Sequence, residues 1–242
     1  MNRSEESALA IARACGPKMG KRILHVSDFH NRLRGFRLTR ALVRILQPEV
    51  VVNTGDICGI GSRLEASLVK RLCRFGPQVF APGNHDSHQT LKGLAAAGAK
   101  VLDEPRLFEV GGVNIWGYRD PNETPLFGPR YDVSLCQKAA EVHKPPTGQP
   151  LVVAVHHLWM VEPHPDVRLV LSGHVHSQKI GIHGSALWVR CGSTGGGGPF
   201  GGPLQAAVID VEPMTMQPKG LWLINVADEV SVRAVSVEEK RA

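Results

Sequence analysis

Short apolar runs that break off abruptly into Gly, Asp, His and Asn are the feature that most limits the folds open to this chain. Ile23 to Ser27 leads into Asp28 and His30, Val50 to Asn53 into Gly55-Asp56, and Gln78 to Ala81 into Gly83-Asn84-His85-Asp86. Leu151 to Val155 leads into His156-His157, and Arg168 to Leu171 into Gly173-His174-Val175-His176. Unbroken apolar runs this short read as strands buried on both faces. Helical spacing follows the first three. Phe36 to Leu46 puts Leu38, Leu42, Ile45 and Leu46 on one face and Arg37, Arg40 and Arg44 on another; Leu64 to Cys73 is a second helix, and His88 to Ala97, closed by Gly98, a third. Strand, polar loop, helix, repeated, implies a parallel sheet covered by helices.

Beyond Leu107 the pattern changes. Leu107 to Val110 and Val113 to Gly117 flank Gly111-Gly112 as a hairpin, and the Pro-rich stretch from Pro121 to Pro150 leaves room for one helix, near Val133 to Val142. Ile180 to Ile182, Leu187 to Val189, Leu204 to Asp210 and Leu221 to Asn225 read as an antiparallel set, so a second sheet is expected. Gly192 to Pro203 reads as a mobile glycine-rich loop. Residues 1–18 are expected to be a weakly ordered extension, since Met19-Gly20-Lys21-Arg22 leads straight into the first strand. Residues 19–242 are expected to form a single domain.

Composition excludes more than it identifies. With 43% hydrophobic and 21% charged residues the chain has the means for a sizeable core. Its net charge of +6 is uneven: residues 1–74 hold 14 Lys/Arg against 6 Asp/Glu, and residues 75–242 hold 14 against 16. That imbalance suits an anionic partner or a solvated basic surface. The five cysteines are scattered, without a Cys-x-x-Cys pair, which argues against a zinc ribbon or a disulfide framework and for a reducing, cytoplasmic setting. Glu5 and Glu6 near the N-terminus do not suit a secretory leader, and no apolar run reaches the roughly 20 residues of a membrane helix.

The polar clusters all follow the C-terminal ends of strands, the rim where open α/β sheets bind ligands. Five segments converging there bring imidazole, carboxylate and amide donors together without a thiolate. Such a set suits Mn, Fe, Zn, Co or Ni rather than a structural zinc site. Two divalent ions about 3.5–4 Å apart would bind a phosphate, activate a bridging hydroxide and stabilise in-line displacement. Two ions with Asp28 and Asp56 leave a net positive site, so an anionic phosphate ester is the expected substrate.

The ordered pattern Asp-x-His, Gly-Asp, Gly-Asn-His-Asp, His, Gly-His-x-His resembles the calcineurin-like metallophosphoesterase superfamily over residues 22 to about 210. The resemblance implies a sandwich of two mixed β-sheets flanked by α-helices and two divalent transition metals, with Mn²⁺ favoured. By that resemblance Asp28, His30 and His176 hold one metal, Asn84, His156 and His174 the other, and Asp56 bridges them. His85 matches the histidine that contacts the phosphate and protonates the leaving oxygen. Beside it, Asp86 is expected to orient that ring or raise its pKa.

Other residues carry weaker expectations. Arg32 and Arg34, soon after His30, are expected on the rim of the site, where a guanidinium would pair with a phosphate oxygen. His157 is expected to line the pocket beside His156. Gly16 to Lys21 superficially suggests a phosphate-binding loop but has the wrong glycine spacing and no preceding strand. Ile57-Cys58-Gly59-Ile60 replaces the Arg-containing signatures of Ser/Thr protein phosphatases, which turns the expectation from phosphoproteins to small phosphodiesters or phosphomonoesters. Two rivals are a nuclease, disfavoured by only 13 aromatic residues for base stacking, and a catalytically silent binding scaffold of the same fold. The sequence does not fix an oligomeric state.

Overall fold

A computed structural model describes residues 3–59, 61–123, 130–197 and 202–237. The first half runs α1 (Arg3–Cys15), β1 (Lys21–Val26), α2 (Leu33–Leu46), β2 (Val50–Asn53), α3 (Arg63–Leu72), β3 (Gln78–Phe80), α4 (His88–Ala96) and β4 (Lys100–Val101). A hairpin of β5 (Arg106–Val110) and β6 (Val113–Gly117) follows, then α5 (Val133–Val142), β7 (Leu151–Ala154) and a short 3-10 turn, Leu158–Met160. The chain continues with β8 (Val167–Ser172), β9 (Gln178–His183), β10 (Ala186–Cys191), β11 (Leu204–Val211), β12 (Pro218–Val226) and β13 (Val230–Ala234).

These strands form two mixed sheets. One has the order β13-β12-β11-β1-β2-β3-β4 and the other β5-β6-β7-β8-β10-β9. The strands that precede polar clusters, β1, β2, β3, β7 and β8, sit centrally and pair in parallel within their sheets. Their apolar runs are explained by burial on both sides. Ile23, Val50, Val52 and Val79 of the first sheet share one core with Ile115, Val152, Leu169 and Leu187 of the second. The alternate residues Leu24, Val26, Val51 and Phe80 face the helices, packing with Ile11, Phe36, Leu42 and Leu94. Outside the second sheet, Trp116, Val153, Val170 and Trp188 pack with Cys136 and Met160.

Three expectations need correction. The described part of the expected extension, from residue 3 on, is packed on the domain: Ala8, Ile11 and Cys15, spaced for one helical face, are buried, and Arg3 donates to Ala227 O at 2.9 Å. The antiparallel set is divided, with β9 and β10 in the second sheet and β11 and β12 in the first. Their crossing chain is the glycine-rich segment. Its residues 192–197 are packed against the β1 loop, with Thr194 N–H donating to Ser27 O at 2.8 Å and Ser193 Oγ to Asp28 O at 2.8 Å, while 198–201 lie outside the described residues. Third, β4 and β13 have no expected counterpart, because two residues and an alternating exposed edge give little apolar signal.

On the adjacent central strands β1 and β11, Arg22 and Asp210 form a buried pair with contacts of 2.7 and 2.8 Å, fixing β1 against β11. Among the described residues no helix is long and apolar enough to cross a membrane. The packing of α1 yields a measurable expectation. Ile11→Ala, at a fully buried position, should lower stability by about 2–5 kcal/mol, read as a reduced denaturant midpoint at unchanged slope. A parental midpoint would show that α1 contributes nothing to the core.

Candidate metal centre

At the strand ends the backbone turns sharply, and polar residues tolerate the turn. Asp28, His30, Asp56 and His174 adopt positive φ of 53°, 43°, 52° and 69°. Such conformers cost of order 1–3 kcal/mol each for L-residues, and they persist where the surroundings hold them. The loops hold one another: Asp28 N–H donates to Gly55 O at 2.9 Å, and His30 N–H to Asp56 O at 3.1 Å. Two glycines make room for the carboxylates. A Cβ on Gly173 would stand 2.6 Å from Asp28 Oδ2, and one on Gly83 would stand 2.3 Å from Asp56 Oδ1.

The result is two clusters of potential ligands, Asp28 with His30 and His176, and Asp56 with His156 and His174. In the first, Nε2 of His30 and Nε2 of His176 face each other at 3.0 Å, and Asp28 Oδ1 lies 3.3 Å from His176 Nε2. In the second, His174 Nδ1 faces His156 Nε2 at 3.2 Å, and Asp56 Oδ2 lies 3.3 Å from His156 Nε2. His30 and His156 are oriented from behind. His30 Nδ1 lies 3.2 Å from Cys58 O and His156 Nδ1 lies 2.6 Å from Thr54 O, so each Nδ1–H donates to a carbonyl and each Nε2 lone pair turns inward. The clusters interlock, since His174 N–H donates to Asp28 Oδ2 at 3.1 Å.

The electrostatics favour positive charge in both clusters. Burial raises the Asp28 and Asp56 carboxyls, but facing histidines outweigh it and hold both below the usual range. Burial lowers His30, and it brings His174 down to about 3 with help from His156 and His157, which keeps both rings in the neutral, ligating form. Against burial, Asp56 raises His156; Asp28 raises His176. Facing imidazole nitrogens beside an ionised carboxylate need a proton or a cation between them. Together with Asp28 Oδ1, which is buried and has no hydrogen bond among the described residues, this donor set fits divalent cations.

The remaining expected residues part company. His85 borders the clusters: its N–H donates to Asp56 Oδ1 at 3.0 Å, its Nε2 lies 4.0 Å from Asp56 Oδ2, and its ring meets His30 edge-on at 5.5 Å. Asn84 is buried in the same turn. Asp86 has no hydrogen bond to the His85 ring among the described residues. Its Oδ2 accepts from Asp56 N–H at 2.8 Å and Gly83 N–H at 2.9 Å, and its Oδ1 from Ile57 N–H at 3.1 Å and Cys58 N–H at 3.3 Å. It staples two ligand loops. Burial and Asp56 push its carboxyl up to about 7, against these donors.

Arg32 lines a cavity of about 340 Å³ with His30, His85, His176 and the backbone of Gly195 to Gly197. Arg34, two residues on, does not; it lines a separate groove against α1, with Arg3 and Ser7. His157 abuts His174 at 5.0 Å between ring centres, and its Nδ1 accepts from Trp159 N–H at 3.2 Å. One neighbour of the site is absent from the sequence reading. Tyr131, in the Pro-rich stretch, lays its ring 4.0 Å from that of His174, and no periodicity marks it out.

With fold and site in view, the family is defined: the chain belongs to the calcineurin-like phosphoesterases, whose family model matches residues 21–178. Members of this family use divalent metals. A comparison with curated proteins gives no match. Among solved structures, the chain is similar to an archaeal phosphodiesterase at 14% identity and a TM-score of 0.51, over 88% of this chain and 99% of that one. It is also similar to the protein TT1561 of Thermus thermophilus, at 14% identity and a TM-score of 0.57, over 86% and 100% of the two chains. A single mutant of Vps29 from Entamoeba histolytica gives 16% identity and a TM-score of 0.50, over 88% and 98%. Likeness at these identities establishes the shared fold.

The staple formed by Asp86 has a testable consequence. Asp86→Asn should lower the melting temperature and metal uptake together with turnover, since each lapsed bond to the buried charge costs about 1.5–3 kcal/mol. Parental metal content and melting with slow turnover would instead restore Asp86 to orienting His85.

Proposed function

We propose that the protein is a dinuclear metal-dependent phosphoesterase hydrolysing a small phosphodiester or phosphomonoester with water as the attacking group. The observation that carries this reading is the pair of carboxylate–imidazole clusters side by side at the strand ends, the first of which lines a cavity beside His85 through His30 and His176. Asp28, His30 and His176 would hold one cation and Asn84, His156 and His174 the other, with Asp56 between them. Mn²⁺ is the first ion to test, because oxygen and imidazole donors without thiolate suit it. When bound, the two cations would neutralise the phosphoryl oxygens and make an attacking water more acidic.

The side chains supply the rest. Cys58 and Cys191 are buried, and burial raises both thiols, which disfavours them as nucleophiles. Nε2 of His85, on the cavity side of Asp56, is the proton donor in reach of a leaving oxygen. Arg32 on the cavity wall supports binding of a phosphate oxygen. A cavity of about 340 Å³ supports a small ester over a long polymer. A silent scaffold would have no need of a complete donor set with a general acid beside it.

The test is a panel of phosphomonoesters, cyclic and linear diesters and single-stranded oligonucleotides, assayed with Mn²⁺-loaded parent and His85→Ala. The parent should hydrolyse at least one small ester. His85→Ala should keep its metal and lose about 10²–10⁴-fold in turnover, less where the leaving group needs no proton. A parental rate on a poor leaving group would remove His85 from the mechanism, and no hydrolysis by a fully loaded parent would leave the scaffold reading.

A further inference from the structure

The four ligand histidines are not held alike. His30 and His156 are each fixed by a hydrogen bond from Nδ1 to a backbone carbonyl. His174 points inward through Nδ1, and its outer nitrogen, Nε2, has no hydrogen bond among the described residues. It also sits on a strained backbone, with φ at 69°. What fixes its ring is aromatic packing: Tyr131 lies across it at 4.0 Å and a 33° tilt, and His157 meets it edge-on at 5.0 Å and 71°.

Tyr131 is itself anchored. Its hydroxyl donates to Asp120 Oδ2 at 2.7 Å and lies 3.1 Å from Cys136 Sγ. Asp120 is 1% exposed, and its Oδ1 accepts from Asn122 N–H at 2.8 Å and from the Asn122 amide at 3.1 Å. Asn122 ties this back to the start of α5, with Asp132 N–H donating to its Oδ1 at 2.8 Å. Asp120 N–H donates to Pro82 O at 3.0 Å, which joins the network to the loop bearing Asn84. A buried carboxylate bonded on both oxygens is a stiff anchor, and the tyrosine transmits that stiffness to the imidazole. The His30 ring, by contrast, meets the rings of His176 and His85.

We propose that Tyr131, anchored on Asp120, is a positioning residue that holds the His174 ring in its ligating orientation and so sets the affinity of the Asp56–His156–His174 cluster for its cation. The inference rests on the dinuclear reading above. It differs from general structural support in being one-sided: among the described residues the ring contacts of Tyr131 are with His174 and His157, and none is with His30 or His176. Removing such an outer partner typically costs about 10–100-fold in metal affinity.

The experiment is calorimetric titration of Mn²⁺ into chelator-stripped full-length protein, for the parent, Tyr131→Leu and Tyr131→Phe, with melting curves alongside. The parent should take up two equivalents. Tyr131→Leu, without ring or hydroxyl, should retain one step at parental affinity and weaken the other by about 10–100-fold. Tyr131→Phe keeps the stack and loses the anchor, so the same step should weaken by a smaller factor at a near-parental melting temperature, and this variant carries the test if the leucine variant does not fold. Parental affinity at both steps, or parallel weakening of both, in the variants that fold overturns the inference alone. A parent that takes up fewer than two equivalents overturns the dinuclear reading and the inference with it.

Discussion

Two carboxylates, those of Asp28 and Asp56, lie buried at 0% and 2% exposure at the end of the apolar core between the sheets. A buried charge without compensation costs far more than the fold's whole margin of stability, so everything around these two groups is arranged to meet them. Backbone N–H groups of His174 and His85 reach one oxygen of each, and imidazoles face the other. The imidazoles are in turn pinned by carbonyls or rings, and the loop that carries Asp56 is stapled to the Asn84 turn by a third buried acid, Asp86. The centre is thus a nested set of constraints rather than a collection of ligands.

That nesting explains where the protein accepts unfavourable local geometry. Four ligand candidates take positive φ, and three glycines, Gly55, Gly83 and Gly173, bring backbone or carboxylate closer than a side chain would allow. The sandwich absorbs this cost because β1, β2, β3, β7 and β8 are buried on both faces and pair with neighbours on both sides, leaving the rim no freedom to relax. The fold is shared at low identity with proteins of different names, so the chemistry has to be argued from this rim and not from the sandwich.

Much of this was legible in the sequence because one physical cause produced both signals. A strand buried on both faces reads as an unbroken apolar run, and its end is marked by the polar residues that follow, so β2 and α5 were expected at their observed limits. What escaped depends on distant partners. Asp86 looked like a companion of His85, its neighbour in sequence, yet its partners include backbone groups of residues 56–58, about thirty positions earlier. Arg32 and Arg34 looked alike, but Arg32 stands before the first turn of α2 and faces the cavity, whereas Arg34 lies within the helix and is turned toward α1. Tyr131 lies in a Pro-rich stretch with no repeating pattern, and only the folded chain brings it to His174.

The central claim is that the two carboxylate–imidazole clusters hold one dinuclear centre. Electron paramagnetic resonance of the protein loaded with two equivalents of Mn²⁺ addresses it directly, since ions about 3.5–4 Å apart and bridged by a shared ligand couple their spins. The account predicts a coupled spectrum that collapses to that of isolated ions when Asp56→Asn removes the bridging carboxylate. Two equivalents bound with the spectrum of isolated Mn²⁺ in the parent would contradict it.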